Sequence, residues 1–107
     1  MKKYVVRLTE EAKQDRRLLA RFIKEEVHAP LTAKRYMLGL QEEITKLENS
    51  AGSLAIDDDL SRQIGIEVRR TSYKNMAIIY SVVGEMAFVH HIIPQKMVVF
   101  ELKTENK

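Results

Sequence analysis

The 107-residue chain has no cysteine, only two prolines and four glycines. Without cysteine it can build neither a disulfide framework nor a thiolate metal site, a composition that suits a reducing cytosol. The apolar run in the opening residues Met1 to Leu8 is too short for a secretion signal. No uninterrupted apolar stretch approaches the roughly 20 residues of a membrane span. A soluble, cytoplasmic protein with no membrane partner is therefore expected. The sequence also lacks a glycine-rich phosphate loop, a serine elbow and a zinc signature. His28, His90 and His91 fall into neither an HxxxH nor an HxH spacing, so no metal or other cofactor is expected. These absences weigh against ordinary enzymes of these classes.

What is present suffices for one domain. Hydrophobic residues make up 45% of the chain, enough for a core but not for a second module. We place that domain at residues 1–103 and expect residues 104–107 to be a frayed tail. Lysine and arginine outnumber the acids 18 to 15, a net charge of +3. Asp57, Asp58 and Asp59 concentrate acid in one stretch, which leaves the rest more basic than the sum suggests. A basic surface suits nucleic acid or an acidic protein partner, and total charge does not choose between them.

The order of elements follows from local patterning. Lys3 to Leu8 reads as a strand, rich in β-branched and aromatic side chains. Thr9 offers a hydroxyl cap, Glu10 and Glu11 place negative charge in the first turn, and an amphipathic helix runs to about Glu26. Its apolar stripe is Ala12, Leu18, Leu19, Phe22 and Ile23. Pro30 breaks that helix and opens a second. Ala33, Met37, Leu40, Ile44 and Leu47, spaced by four, three, four and three, form its buried stripe. Ser53 to Gln63 reads as an irregular connector, with the aspartates as a solvated loop or a helix cap. Strands are expected over Gly65 to Arg70, Met76 to Val83 and Met86 to Ile93, with Gly84 in a tight hairpin turn. Lys96 to Lys103 reads as a strand or a short helix, and its apolar run favours strand. The fold class is α+β: an N-terminal strand and an antiparallel helical hairpin packed on a three- to four-stranded, mainly antiparallel sheet. One face of such a sheet can stay open, and that face is the place to look for chemistry.

Adjacent residues on a strand point to opposite faces, so one of Arg69 and Arg70 reaches the open face, where arginine suits a phosphate or carboxylate. By the same alternation His90 and His91 are expected on opposite faces, and either has a pKa suited to a general base. Lys74 and Lys96 can extend a basic patch; the ordinary alternative for all of these residues is a solvated strand edge. Tyr73 and Tyr80 read as packing residues with hydroxyls at the rim.

Taken together, three stretches resemble one family. The opening Tyr4-Val-Val-Arg-Leu-Thr-Glu-Glu-Ala-Lys-Gln-Asp, with Ala33, Leu40 and Leu47 of the second helix, is similar to the start of the RelE/ParE toxin superfamily. So are Val68-Arg69-Arg70, then Tyr73 to Tyr80, and then Val89-His90-His91-Ile92-Ile93. The resemblance covers nearly the whole chain. It implies the toxin of a type II toxin–antitoxin module, held inactive by a small antitoxin lying over the helical hairpin, with Leu19, Phe22, Tyr36 and Leu40 as the contact residues. ParE-like members block DNA gyrase by binding; RelE-like members cut messenger RNA on the translating ribosome without a metal. Arg69, Arg70, Lys74 and Lys96 would meet the target, and in a nuclease Arg70, His91 and Lys96 would be the catalytic set. RelE-type nucleases carry an arginine where this chain has Ala77 and a tyrosine where it has Phe100. His91 falls where many ParE-like members have arginine. These departures favour the ParE-like branch. A third reading is an inactive domain that serves only as an antitoxin partner.

Overall fold

A computed structural model describes residues 3–98. The chain runs β1 (Val5–Leu8), α1 (Glu10–Val27), α2 (Pro30–Ser50), α3 (Asp58–Ile64), β2 (Arg69–Tyr73), β3 (Met76–Val83) and β4 (Met86–Pro94), followed by a helical turn at residues 95–98. The four strands form one sheet in the order β1-β4-β3-β2. β1 is parallel to β4, and the other pairings are antiparallel. Among the described residues no helix is long and apolar enough to cross a membrane.

The helical hairpin forms as local chemistry dictates. Thr9 Oγ1 accepts the Ala12 N–H at 3.2 Å, closing the start of α1. His28 ends it in the left-handed conformation (φ 54°), and Pro30 occupies the first turn of α2. A two-residue link therefore reverses the chain, and Arg16 meets Gln41 across the two antiparallel helices.

Alternation along the strands divides the interior in two. Met76, Ile78 and Tyr80 of β3, with Ala87, Val89 and Ile92 of β4, face the helices and pack on Ala12, Leu40, Ile44 and Leu47. Burial of each such aliphatic side chain contributes roughly 1.5–3 kcal/mol. Ala77 and Ile79 point the other way and pack with Leu60 of α3, Val68 and Val98. The second face of the sheet is thus covered at this end by α3 and the turn at 95–98, while among the described residues its other end, around Val5, Arg7 and Val83, is exposed.

Four expectations change. The connector contains a helix, α3, because Asp57 caps it: its Oδ1 accepts the Leu60 N–H at 3.0 Å. Gly65 (φ 93°) then terminates α3 in the left-handed region. Gly65 is therefore a helix cap rather than the first strand residue, residues 66–68 lie outside the ladder, and β2 starts at Arg69 and runs on to Tyr73. The turn at 95–98 is helical where a strand was favoured; the remainder of that stretch, with Phe100, Lys103 and the tail, lies outside the described residues. Tyr80 is not at the rim. It is fully buried, and its hydroxyl donates to the Ala51 carbonyl at 2.8 Å. Burial pushes its pKa up to about 12.

Two close approaches fix how the sheet meets α2. A Cβ at Gly39 would lie 2.9 Å from Cζ of Tyr73 and nearer still to its hydroxyl, so glycine makes room for the hydroxyl end of the tyrosine against the helix. Tyr73 also stands edge-on to Tyr36, with ring centroids 5.0 Å apart.

Candidate functional site

The two adjacent arginines take opposite parts. Arg69 is the register partner of Tyr80 and points toward the helices. Its Nη1 donates to the carbonyls of Ala51 at 3.2 Å and Leu54 at 3.1 Å. With the Tyr80 hydroxyl it closes the C-terminal end of α2, where carbonyls have no partner within the helix. Its guanidinium is thus engaged with the main chain at the end of α2.

Arg70 is the register partner of Ile79 and lies on the second face. Its Nη2 stands 3.5 Å from Asp57 Oδ2, both side chains partly exposed. The residue that caps α3 therefore also holds Arg70, at the wall of a shallow cleft of about 630 Å³ formed by Ala55 to Asp59 with Arg62 and Arg70.

The histidines do not alternate. Ile79 pairs with His91 and Tyr80 with Val89, which leaves His90 as the extra residue of a β-bulge. Both histidines therefore belong to the second face. His90 Nε2 and the buried Ser81 Oγ are 2.8 Å apart. Burial, and then the neighbouring His91, lower the His90 pKa below the ordinary histidine value. His91 leans over the sheet edge, its Nδ1 3.6 Å from Asp15 Oδ2.

Asp15 is a residue that sequence reasoning missed. β1 stops at Leu8, opposite Val89, so beyond that point the outer edge of β4 has no strand beside it among the described residues. The β1–α1 junction covers that edge. Thr9 N–H donates to the Val89 carbonyl at 2.9 Å, and Asp15 Oδ2 accepts the Ile92 N–H at 3.0 Å. Nothing in the local pattern around Asp15 marks this role, which depends on where β1 ends.

Arg70, Ile79 and His91 form one row across β2, β3 and β4, so Arg70 and His91 sit two strand spacings apart, roughly 10 Å. Each is paired with a different carboxylate. Lys74 and Lys96 are exposed. Lys74 lies in the β2–β3 turn, its Nζ 5.7 Å from the centre of the Tyr73 ring, and Lys96 lies in the turn at 95–98.

On the opposite side of the sheet, an apolar groove of about 500 Å³ opens between the helical hairpin and the ends of β3 and β4. Leu18, Leu19, Phe22 and Ile23 of α1 form one wall; Thr32 and Tyr36 of α2, Asn75, Met76, and Ile92 to Pro94 complete it, with Asp15 at the margin. Phe22 is 60% exposed and Leu18 53%, an unusual amount of apolar surface to leave in water. Of the four residues expected to meet an antitoxin, Leu19, Phe22 and Tyr36 line this groove. Leu40 does not: it has no exposed surface, because its place on α2 turns it onto the sheet.

This arrangement of sheet and helical hairpin is shared with a solved structure. The chain superposes on a solved chain titled "Chromosomal ParDE TA system from P. aeruginosa" with a TM-score of 0.72, covering 86% of this chain and 96% of that one at 15% sequence identity. At that identity the likeness is one of fold. No family model matches the sequence, and no curated protein matches it in a sequence search.

Proposed function

We propose that this chain is the toxin of a type II toxin–antitoxin module, cytoplasmic, arresting growth when free of its antitoxin, and acting in the ParE-like manner by binding DNA gyrase. The observation that carries the reading is the fold likeness to a chain of a ParDE system over most of both chains. The apolar groove supports it, since a surface with Phe22 and Leu18 so exposed suits a chain that spends its life covered by a partner. In this reading the antitoxin lies over Leu19, Phe22 and Tyr36, and Arg70, Lys74 and Lys96 meet the target.

Binding is favoured over cleavage by the company Arg70 and His91 keep. Each is drawn to its own carboxylate, Asp57 in one case and Asp15 in the other, rather than to a shared point where a phosphate could sit. The row through Ile79 supports one rival, a metal-independent, ribosome-dependent endoribonuclease. There Arg70 would hold the phosphate, His91 act as base, and Lys96 stabilise developing charge.

Inducing the chain without its antitoxin, and pulse-labelling protein and DNA synthesis over the next minutes, tests both. Continued translation with stalled replication and DNA breaks is the expected result. An immediate stop in translation, with transcripts cut inside codons, would replace it with the nuclease. Unimpeded growth would leave only an inactive partner domain.

A further inference from the structure

The β2–β3 turn touches both functional faces of the molecule. Tyr73 pairs with Met76, leaving Lys74 and Asn75 as a two-residue hairpin loop. Lys74 has φ 52°, a left-handed conformation that glycine or asparagine adopts readily and a lysine adopts only under constraint. Three hydrogen bonds supply the constraint. On the groove side the Tyr36 hydroxyl donates to Asn75 Oδ1 at 3.3 Å. From the other side Gln95 N–H donates to the Asn75 carbonyl at 2.9 Å, and Gln95 Nε2 to the Lys74 carbonyl at 3.2 Å.

Those partners belong to different sites. Tyr36 and Asn75 line the apolar groove. Gln95 opens the helical turn at 95–98, which holds Lys96 in solvent and packs Val98 against Ala77 and Ile79 on the face that carries Arg70. One strained turn is thus held from the groove at one end and holds the cover of the opposite face at the other.

We propose that the Lys74–Asn75 turn is a conformational relay, through which an occupant of the groove loosens the turn at residues 95–98 on the far side of the sheet. An occupant that takes the Tyr36 hydroxyl or the Asn75 amide for its own hydrogen bonds removes one of the three restraints. The left-handed lysine then relaxes, both Gln95 bonds open, and Val98 and Lys96 lose their fixed position. The two sites are coupled because one element has two conformations and both sites bias it. The inference deepens the reading of the groove as the antitoxin's seat, and rests on that reading only for the identity of the occupant.

The test is amide hydrogen exchange, residue by residue, on the free full-length chain, so its result does not depend on whether the chain arrests growth. Tyr36→Phe removes the hydroxyl and keeps the ring. It is expected to speed exchange of the Gln95 and Val98 amides about threefold or more, as loss of a modest restraint on a local opening should. Phe22→Ala, in the same groove but with a side chain that can offer the turn no hydrogen bond, is expected to leave them unchanged. Adding Lys74→Gly to Tyr36→Phe removes the strain that drives relaxation, and should bring exchange back to within about twofold of the parent chain. Unchanged exchange in Tyr36→Phe, an equal effect from Phe22→Ala, or no rescue by Lys74→Gly would each overturn the relay.

Discussion

The two faces of the sheet are built to different purposes, and Arg69 and Arg70 show the difference within one dipeptide. On the helix-covered face Arg69 joins Tyr80 at the Ala51 carbonyl and seals the end of α2. On the other face Arg70 is half in water and leans on Asp57. The first face has a continuous core from Ala12 to Ile92; the second has a smaller cluster around Ala77, Ile79 and Leu60, a cleft, and a histidine bulge. An identical side chain is structural on one side and free to be functional on the other, and the pleat alone decides which.

Neighbouring isoleucines give the sharpest way to break this contrast. Ile78 and Ile79 are both fully buried, one in each cluster. Ile78→Ala should cost about 3–5 kcal/mol and Ile79→Ala about 2–3, because the thinner cluster can collapse further around the lost volume. Urea unfolding midpoints check this, and equal losses would mean that the second cluster is as rigid as the first.

The arginines come next. Arg69→Ala strips partners from two main-chain carbonyls near the end of α2, a loss of about 1–3 kcal/mol. Arg70→Ala removes a partly exposed ion pair and should cost no more than about 1 kcal/mol. Its main effect should be on growth arrest after induction. If Arg70→Ala arrests growth as fully as the parent chain, the second face does not meet the target through this residue.

The smallest expected effect is a pH dependence. Burial lowers the folded-state pKa of His90 below the ordinary value of 6.5, so below that value the unfolded chain binds the extra proton first. Its contribution to stability is whole above about pH 6.5 and is lost as the pH falls from there through the folded-state value. Thermal unfolding of the parent chain and of His90→Gln across pH 5 to 8 should converge toward the acid end, and a constant gap would remove His90 as the source.

Much of the fold was legible in the residue order. Thr9, Glu10 and Glu11 announce the start of α1, the 4-3-4-3 spacing draws α2, and Gly84 marks the β3–β4 turn, because each signal acts within a few residues. α3 was missed although its cap, Asp57, was noticed, since a seven-residue helix carries too short a period to stand out from loop. The start of β2 was misplaced because Gly65 reads equally well as the end of a helix or the start of a strand. Leu40, which the resemblance made a contact residue, is core: an apolar stripe shows that a face is buried, not what buries it.

By itself the sequence determined the helical hairpin, the strand order along the chain and the presence of paired basic residues, all of which follow from propensity, capping and alternation over short distances. Only the tertiary structure decided which arginine is structural, that both histidines share a face, that Asp15 seals the open edge of β4, and that a groove lies beside the hairpin. Each of these depends on register, and register is set where distant segments meet: β1 ending opposite Val89, and one extra residue at His90 turning alternation aside.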